Sequence, residues 1–214
     1  MEAIIVKERT INGFWIEITK DNGQIEREHL RGARGGLSWP SSSSPGFYII
    51  LGQLSKTLPN GRRPLRFLKE GSHHIVSNLF QEMLNAMGEF QAYEIFSDVS
   101  FKYQNYILDF HHFYRTRKLQ RIKLLPAPYF QSFGHRIYVT KKWVQDGALE
   151  IGEAATLREQ LRTIKEDDLK QNAQELFGGV NALGYVVAAF DVSDYSPSAR
   201  RTVPSEPPPW GAWT

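Results

Sequence analysis

The chain has 214 residues, of which 41% are hydrophobic, 13% aromatic and 23% charged, with a formal net charge of +3. That suits one large domain with extensions, and it allows a polyanionic partner without demanding one. There is no cysteine, which excludes disulfide frameworks, thiolate zinc sites and cysteine nucleophiles. The stretch Met1-Glu2-Ala3-Ile4-Ile5-Val6-Lys7 lacks the basic region and long apolar run of a signal peptide. No segment reaches the ~18 apolar residues of a membrane span. A soluble, intracellular protein is expected.

Residues 3–30 read as a β-hairpin. Ile4 and Val6, then Phe14, Ile16 and Ile18, alternate with polar residues, and Asn12-Gly13 is a turn signal. Asp21-Asn22-Gly23 offers a second turn, leading into a third strand over 24–29. Residues 32–45 hold three glycines and end in Ser41-Ser42-Ser43-Ser44-Pro45. They read as a linker between an extension (1–31) and a main domain (46–192). The apolar run Phe47-Tyr48-Ile49-Ile50-Leu51 predicts a strand buried on both faces. Pro59-Asn60-Gly61 turns the chain into a partner strand over 65–68.

A helix is predicted over 73–90, with Ser72 as its cap and Ile75, Val76, Leu79, Phe80, Met83, Leu84 and Met87 on one face. The segment Ala92-Tyr93-Glu94-Ile95-Phe96-Ser97-Asp98 predicts a short strand ending at an acid. A second helix over 100–119 carries Tyr103, Tyr106, Ile107, Phe110, Phe113 and Tyr114 as its stripe. A strand over 122–125 is stopped by Pro126 and Pro128. Residues 136–144 suit a strand or a helix start. Helices are predicted over 156–176 and 180–190, and 193–214 read as a Pro-rich disordered tail. Strands alternating with helices define an α/β layered domain with a partly parallel sheet.

Asp98 is the leading site candidate, because ligands of open α/β sheets sit at the carboxyl ends of strands. The same acid also suits a helix cap. Asp167 and Asp168 lie in a mixed-charge run that suits a solvated helix face. Asp109, His111 and His112 supply two ligands on one face at most, and His73-His74 suit a helix start. Arg115, Arg117, Lys118, Arg121 and Lys123 form a run without acids, and Arg62, Arg63 and Arg66 a smaller basic group. Both suit phosphate contacts or an ordinary cationic surface. The glycines at 32, 35 and 36 lack phosphate-loop spacing, so no ATPase motor is expected. Trp210 and Trp213 read as a docking peptide in the tail.

The element order from Gly46, with an aspartate closing the strand after the first helix, resembles the ribonuclease H-like fold. It implies a mixed sheet flanked by helices, with the N-terminal hairpin as an extension. Further motifs resemble the nuclease domain of phage terminase large subunits. These are Ile137-Tyr138-Val139, Trp143 to Ile151 with Gly147-Ala148-Leu149-Glu150-Ile151, Leu157-Arg158-Glu159-Gln160-Leu161, and Asn181-Ala182-Leu183-Gly184-Tyr185.

That resemblance implies two metal ions, Mg²⁺ or Mn²⁺, held by acids from the first strand, the strand after the first helix and the last helix. Asp98 matches the second acid and would bind metal. Gln53 and Asn181 stand where acids are expected. Asp168 is the expected second catalytic acid, with Asp167 and Asp191 as substitutes, or else catalysis is lost. The implied role is DNA packaging with a separate ATPase subunit or another phage protein, in the host cytoplasm or a virion. The alternative is an inactive module of the same fold that binds nucleic acid or protein. Phosphate contacts fall to Arg62, Arg63, Arg115, Arg117, Lys118, Arg121 and Lys123.

Overall fold

A computed structural model describes residues 3–117, 121–129, 132–151, 155–170 and 174–194. The elements in order are β1 (Ala3–Thr10), β2 (Gly13–Thr19), β3 (Ile25–Ser38), β4 (Gly46–Leu54), β5 (Leu65–His73), α1 (Val76–Phe90) and β6 (Glu94–Ser97). There follow α2 (Gln104–Thr116), β7 (Lys123–Pro126), α3 (Phe133–Gln145), β8 (Leu149–Glu150), α4 (Ala155–Thr163), α5 (Glu166–Lys170) and α6 (Gly178–Asp194).

β1 to β5 form an antiparallel meander. The long β3 shares one edge between two neighbours. Its first half pairs with β2, and its last residues pair in parallel with β6, which continues to β7. β8 adds in parallel to β5. This is a mixed α/β sheet of eight strands flanked by helices.

The two faces of the sheet hold two cores. Tyr48 and Ile50 on β4 point to one core with Phe14, Ile16 and Ile18 of β2, Leu79, Phe80 and Met83 of α1, and Phe110 and Tyr114 of α2. Phe47, Ile49 and Leu51 point to the other, with Trp143 of α3, Leu157 of α4 and Val180, Leu183 and Val187 of α6. The strict alternation of buried residues along β2 is the period of a strand with one face inward. α6 is apolar around its circumference and packs across β3, β4 and β6 as well as α3 and α4.

Three expectations are corrected, and an open alternative is resolved. The linker at 32–45 is mostly strand: residues 32–38 complete β3 and are largely buried. Glycine serves there because α6 lies directly on the strand; a Cβ on Gly36 would sit 2.0 Å from the Ala182 carbonyl oxygen. The main sheet therefore begins at β3 rather than at residue 46, and the N-terminal hairpin is continuous with it. Ser72 lies inside β5, and the N-cap of α1 is Ile75, without a side-chain cap. The helix over 156–176 is broken into α4, α5 and a 3₁₀ turn. Residues 136–144 fall within helix α3. Lys118 and the tail with Trp210 and Trp213 lie outside the described residues.

Candidate functional site

Leu37 of β3 is paired with Ser97 of β6, so Ser38 and Asp98 stand side by side where two parallel strands end. The Trp39 indole donates to the Asp98 backbone oxygen at 2.7 Å, tying the two strand ends together. Asp98 is 5% exposed, and its Oδ1 accepts from the Ser100 N–H at 2.8 Å, closing the turn into a 3₁₀ helix (Phe101–Tyr103). That bond is an Asx turn onto Ser100, the N-cap of the 3₁₀ helix, which itself has no side-chain cap.

Asn181, in the first turns of α6, faces this corner. Its Nδ2 donates to Ser38 Oγ and to Tyr185 Oη, both at 3.2 Å. Its Oδ1 accepts from Arg136 Nη2 at 2.5 Å. Arg136 comes from the inward face of α3 and is 0% exposed. Its Nη1 donates to the Tyr129 carbonyl at 2.7 Å, and the guanidinium lies 4.4 Å from the centre of the Tyr185 ring. Burial pushes the Arg136 pKa below its ordinary value, with Tyr185 and Asp98 pulling the other way. A guanidinium stays charged even so. Burial raises the Tyr185 hydroxyl, opposed by Arg136, and raises Tyr103 to about 12.

Gln53 is corrected as the neighbour of Asp98. β3 rather than β4 borders β6, and Gln53 is in register with Gly32, six residues from Ser38, roughly 20 Å along the strand. Ser38 takes the position beside the acid. Asp168 is occupied elsewhere: its Oδ2 accepts from the Lys165 N–H at 2.8 Å at the start of α5, and no contact joins it to Asp98. Asp191 accepts from the Trp143 indole at 2.9 Å and pairs with Arg62 at 3.5 Å. Gly178 and Gly179 open α6. The Gly179 and Val180 N–H groups donate to Gln160 Oε1 at 2.9 and 3.1 Å, so α4 caps that terminus.

A pair of divalent ions roughly 3.5–4 Å apart needs several carboxylates to offset its charge. The donors at this corner do not fit that group. They are one carboxylate, a neutral amide and hydroxyls, with a guanidinium already among them. Among the described residues, no three His, Asp or Glu side chains group closely enough to hold a metal ion.

The expected phosphate contacts divide. Arg62 lies over the Trp143 ring at 4.8 Å and pairs with Asp146 at 3.1 Å and with Asp191, so its side chain is 14% exposed. Arg63 is half-buried. Arg66 is buried between Glu28 and Glu150. Arg115, Arg117, Arg121 and Lys123 are all exposed, at the end of α2 and the start of β7.

Ser38 and Arg136 escape the sequence reading, and Tyr185 enters it only as the end of a motif, without a role. The one signal for Arg136 is Gly184, a glycine in an otherwise apolar helix. A Cβ there would meet Arg136 Cβ at 3.0 Å.

No family model matches the chain, and no curated protein matches it. Among solved structures, it is similar to the large terminase nuclease from thermophilic phage G20c, crystallised with bound zinc. The two share 12% identity and superpose with a TM-score of 0.49, over 88% of this chain and 93% of that one. A likeness of this size assigns neither activity nor metal to this chain. No described helix is long and apolar enough to cross a membrane.

Proposed function

We propose that this chain is a non-hydrolytic ribonuclease H-like module of the terminase nuclease type, holding nucleic acid within a phage packaging assembly. One observation carries the reading. Among the described residues, the carboxyl ends of the central strands bring one carboxylate, Asp98, into a buried corner already supplied with a guanidinium. Activating a water between two metals requires an accessible, multiply acidic pocket. The exposed cations Arg115, Arg117, Arg121 and Lys123 lie within nine residues of one another and offer a phosphate-binding edge instead.

The test is Mn²⁺-dependent plasmid cleavage by the wild type and by Asp98→Ala, run beside a mobility-shift titration. Neither protein is expected to cut. Binding is expected to weaken with salt, with a log–log slope of about −3 to −4 for four phosphates. Reversing Arg117, Arg121 and Lys123 to Glu should cost at least about tenfold in affinity. Cutting that Asp98→Ala abolishes would overturn the non-hydrolytic reading. No binding at low salt would sink the nucleic-acid part and leave a protein partner, such as a packaging ATPase.

A further inference from the structure

We propose that the cleft between the β1–β2 turn and the entry to β6 holds an unstacked base of a single-stranded nucleic acid. The proposal rests on the nucleic-acid reading above and deepens it by naming the kind of strand bound. The cleft has its origin in the sheet. β3 pairs with β2 as far as Leu30, and with β6 only from Gly35 onward. Among the described residues, no strand fills that edge over 31–34, and the gap opens into a hollow of about 440 Å³. That is a volume typical of small-ligand sites.

The lining suits a nucleotide. Tyr93 contributes an aromatic ring that is 46% exposed, and Ile11 an aliphatic side chain fully exposed at the tip of the turn. Every base has a face that stacks on such a ring, and aliphatic wedges part neighbouring bases. The amides of Asn12 and Gln91 carry donors and acceptors for a base edge. Arg31 is exposed, and among the described residues its side chain makes no hydrogen bond or ion pair. No acid among them lines the cleft. Gln91 ends α1 with φ +51, in the left-handed region where glycine is the usual residue. A side chain is thus kept against the backbone's preference at a position that faces the cleft.

The cleft is also continuous with the cationic edge. The Lys123 N–H donates to the Tyr93 carbonyl at 2.8 Å, so Lys123 lies one strand away, with Arg121 two residues before it. A single strand following that edge sets phosphates on Arg121 and Lys123 and a base on Tyr93. A duplex keeps its bases inside the stack and reaches only the cations.

The experiment is fluorescence anisotropy of the full chain with a labelled oligothymidylate and with a blunt duplex of the same length, over a range of salt. It compares the wild type, Tyr93→Leu, Gln91→Gly and Lys123→Gln, with a thermal melt of each. Tyr93→Leu should lose at least about fivefold on the single strand and less than about twofold on the duplex, because stacking is worth that much per base. Lys123→Gln should weaken both probes alike and reduce both salt slopes by about 1. Gln91→Gly should melt higher than the wild type yet bind the single strand more weakly, a combination that a purely structural residue would not give. Tyr93→Leu decides: equal losses on the two probes, or none on the single strand, overturn the base site and leave the cationic edge standing. Should Tyr93→Leu not fold, Gln91→Gly decides by the same comparison. If neither probe binds the wild type at low salt, the nucleic-acid reading fails and the base site with it.

Discussion

Two buried arginines solve the same problem in different ways. Arg66, at the β5–β8 edge, puts Nε on Glu28 at 2.8 Å and Nη1 on Glu150 at 3.1 Å, so opposite charges touch it directly. The Glu150 side chain is 71% exposed, so water is close to that pair. Arg136 is fully buried and donates to the Asn181 amide oxygen and the Tyr129 carbonyl, joining α3 to α6 and to the turn before α3. An edge arginine whose acids can rehydrate is a local clamp. An interior arginine that ties two helices together by hydrogen bonds is a condition of the fold around it.

The sharpest test of that contrast is Arg136→Met beside Arg66→Met. The first is expected to cost about 3–5 kcal/mol and the second about 1–2, read by urea unfolding. Equal losses would erase the distinction. Next in size are two glycine substitutions. Gly184→Ala should destabilise by about 1–2 kcal/mol, since overpacking against the Arg136 stem outweighs the gain in helix propensity. Gly88→Ala, on α1 with nothing within 4 Å, should instead stabilise by about 0.5–1 kcal/mol.

Buried acids sharpen the comparison further. Glu70 keeps a buried Oε2 with no hydrogen-bond partner among the described residues, and burial raises its pKa above 4.5. A group raised on folding contributes stability below its unfolded pKa and loses it as pH rises through the folded value. Glu70→Gln should therefore stabilise by about 1 kcal/mol at pH 7 and give no advantage below its ordinary pKa. A constant gain across pH would rule out ionisation as the cause. The smallest effect expected is at His135, whose pKa burial lowers from 6.5, opposed by Asp191. Its contribution is full above 6.5 and is lost as pH falls through the folded value. His135→Gln should flatten that acid-side decline in Tm, and an unchanged pH profile would assign the decline to other groups.

Periodicity made β2, α1, α2, β6 and the strand-ending Asp98 legible, because each has one face inward and one outward. The Gly-rich half of β3 was not. Glycine signals a break locally, whereas here it marks the close approach of a helix some 145 positions later. That single misplacement shifted the first strand of the sheet from β3 to β4 and put Gln53 where Ser38 stands. Arg136 was illegible for a different reason: an arginine on an amphipathic helix reads as surface, and its partners come from α6 and from the turn before α3. That Asp98 turns the chain just before a helical turn was readable, since Ser97-Asp98 directly precedes it, but the cap itself falls to Ser100.

The position of α6 in the chain has a kinetic consequence. The first core draws on residues 14–114, so its contacts form among neighbours in the chain as it emerges. The second draws on residues 47–190 and has α6 at its centre. At about 5–20 residues per second, α6 leaves the ribosome roughly 5–20 s after β6. Throughout that interval β3 and β4 present an uncovered apolar face. A nascent chain arrested before residue 178 should protect amides of β2 and α1 from exchange while α3 remains open, and it should be the species that chaperones hold.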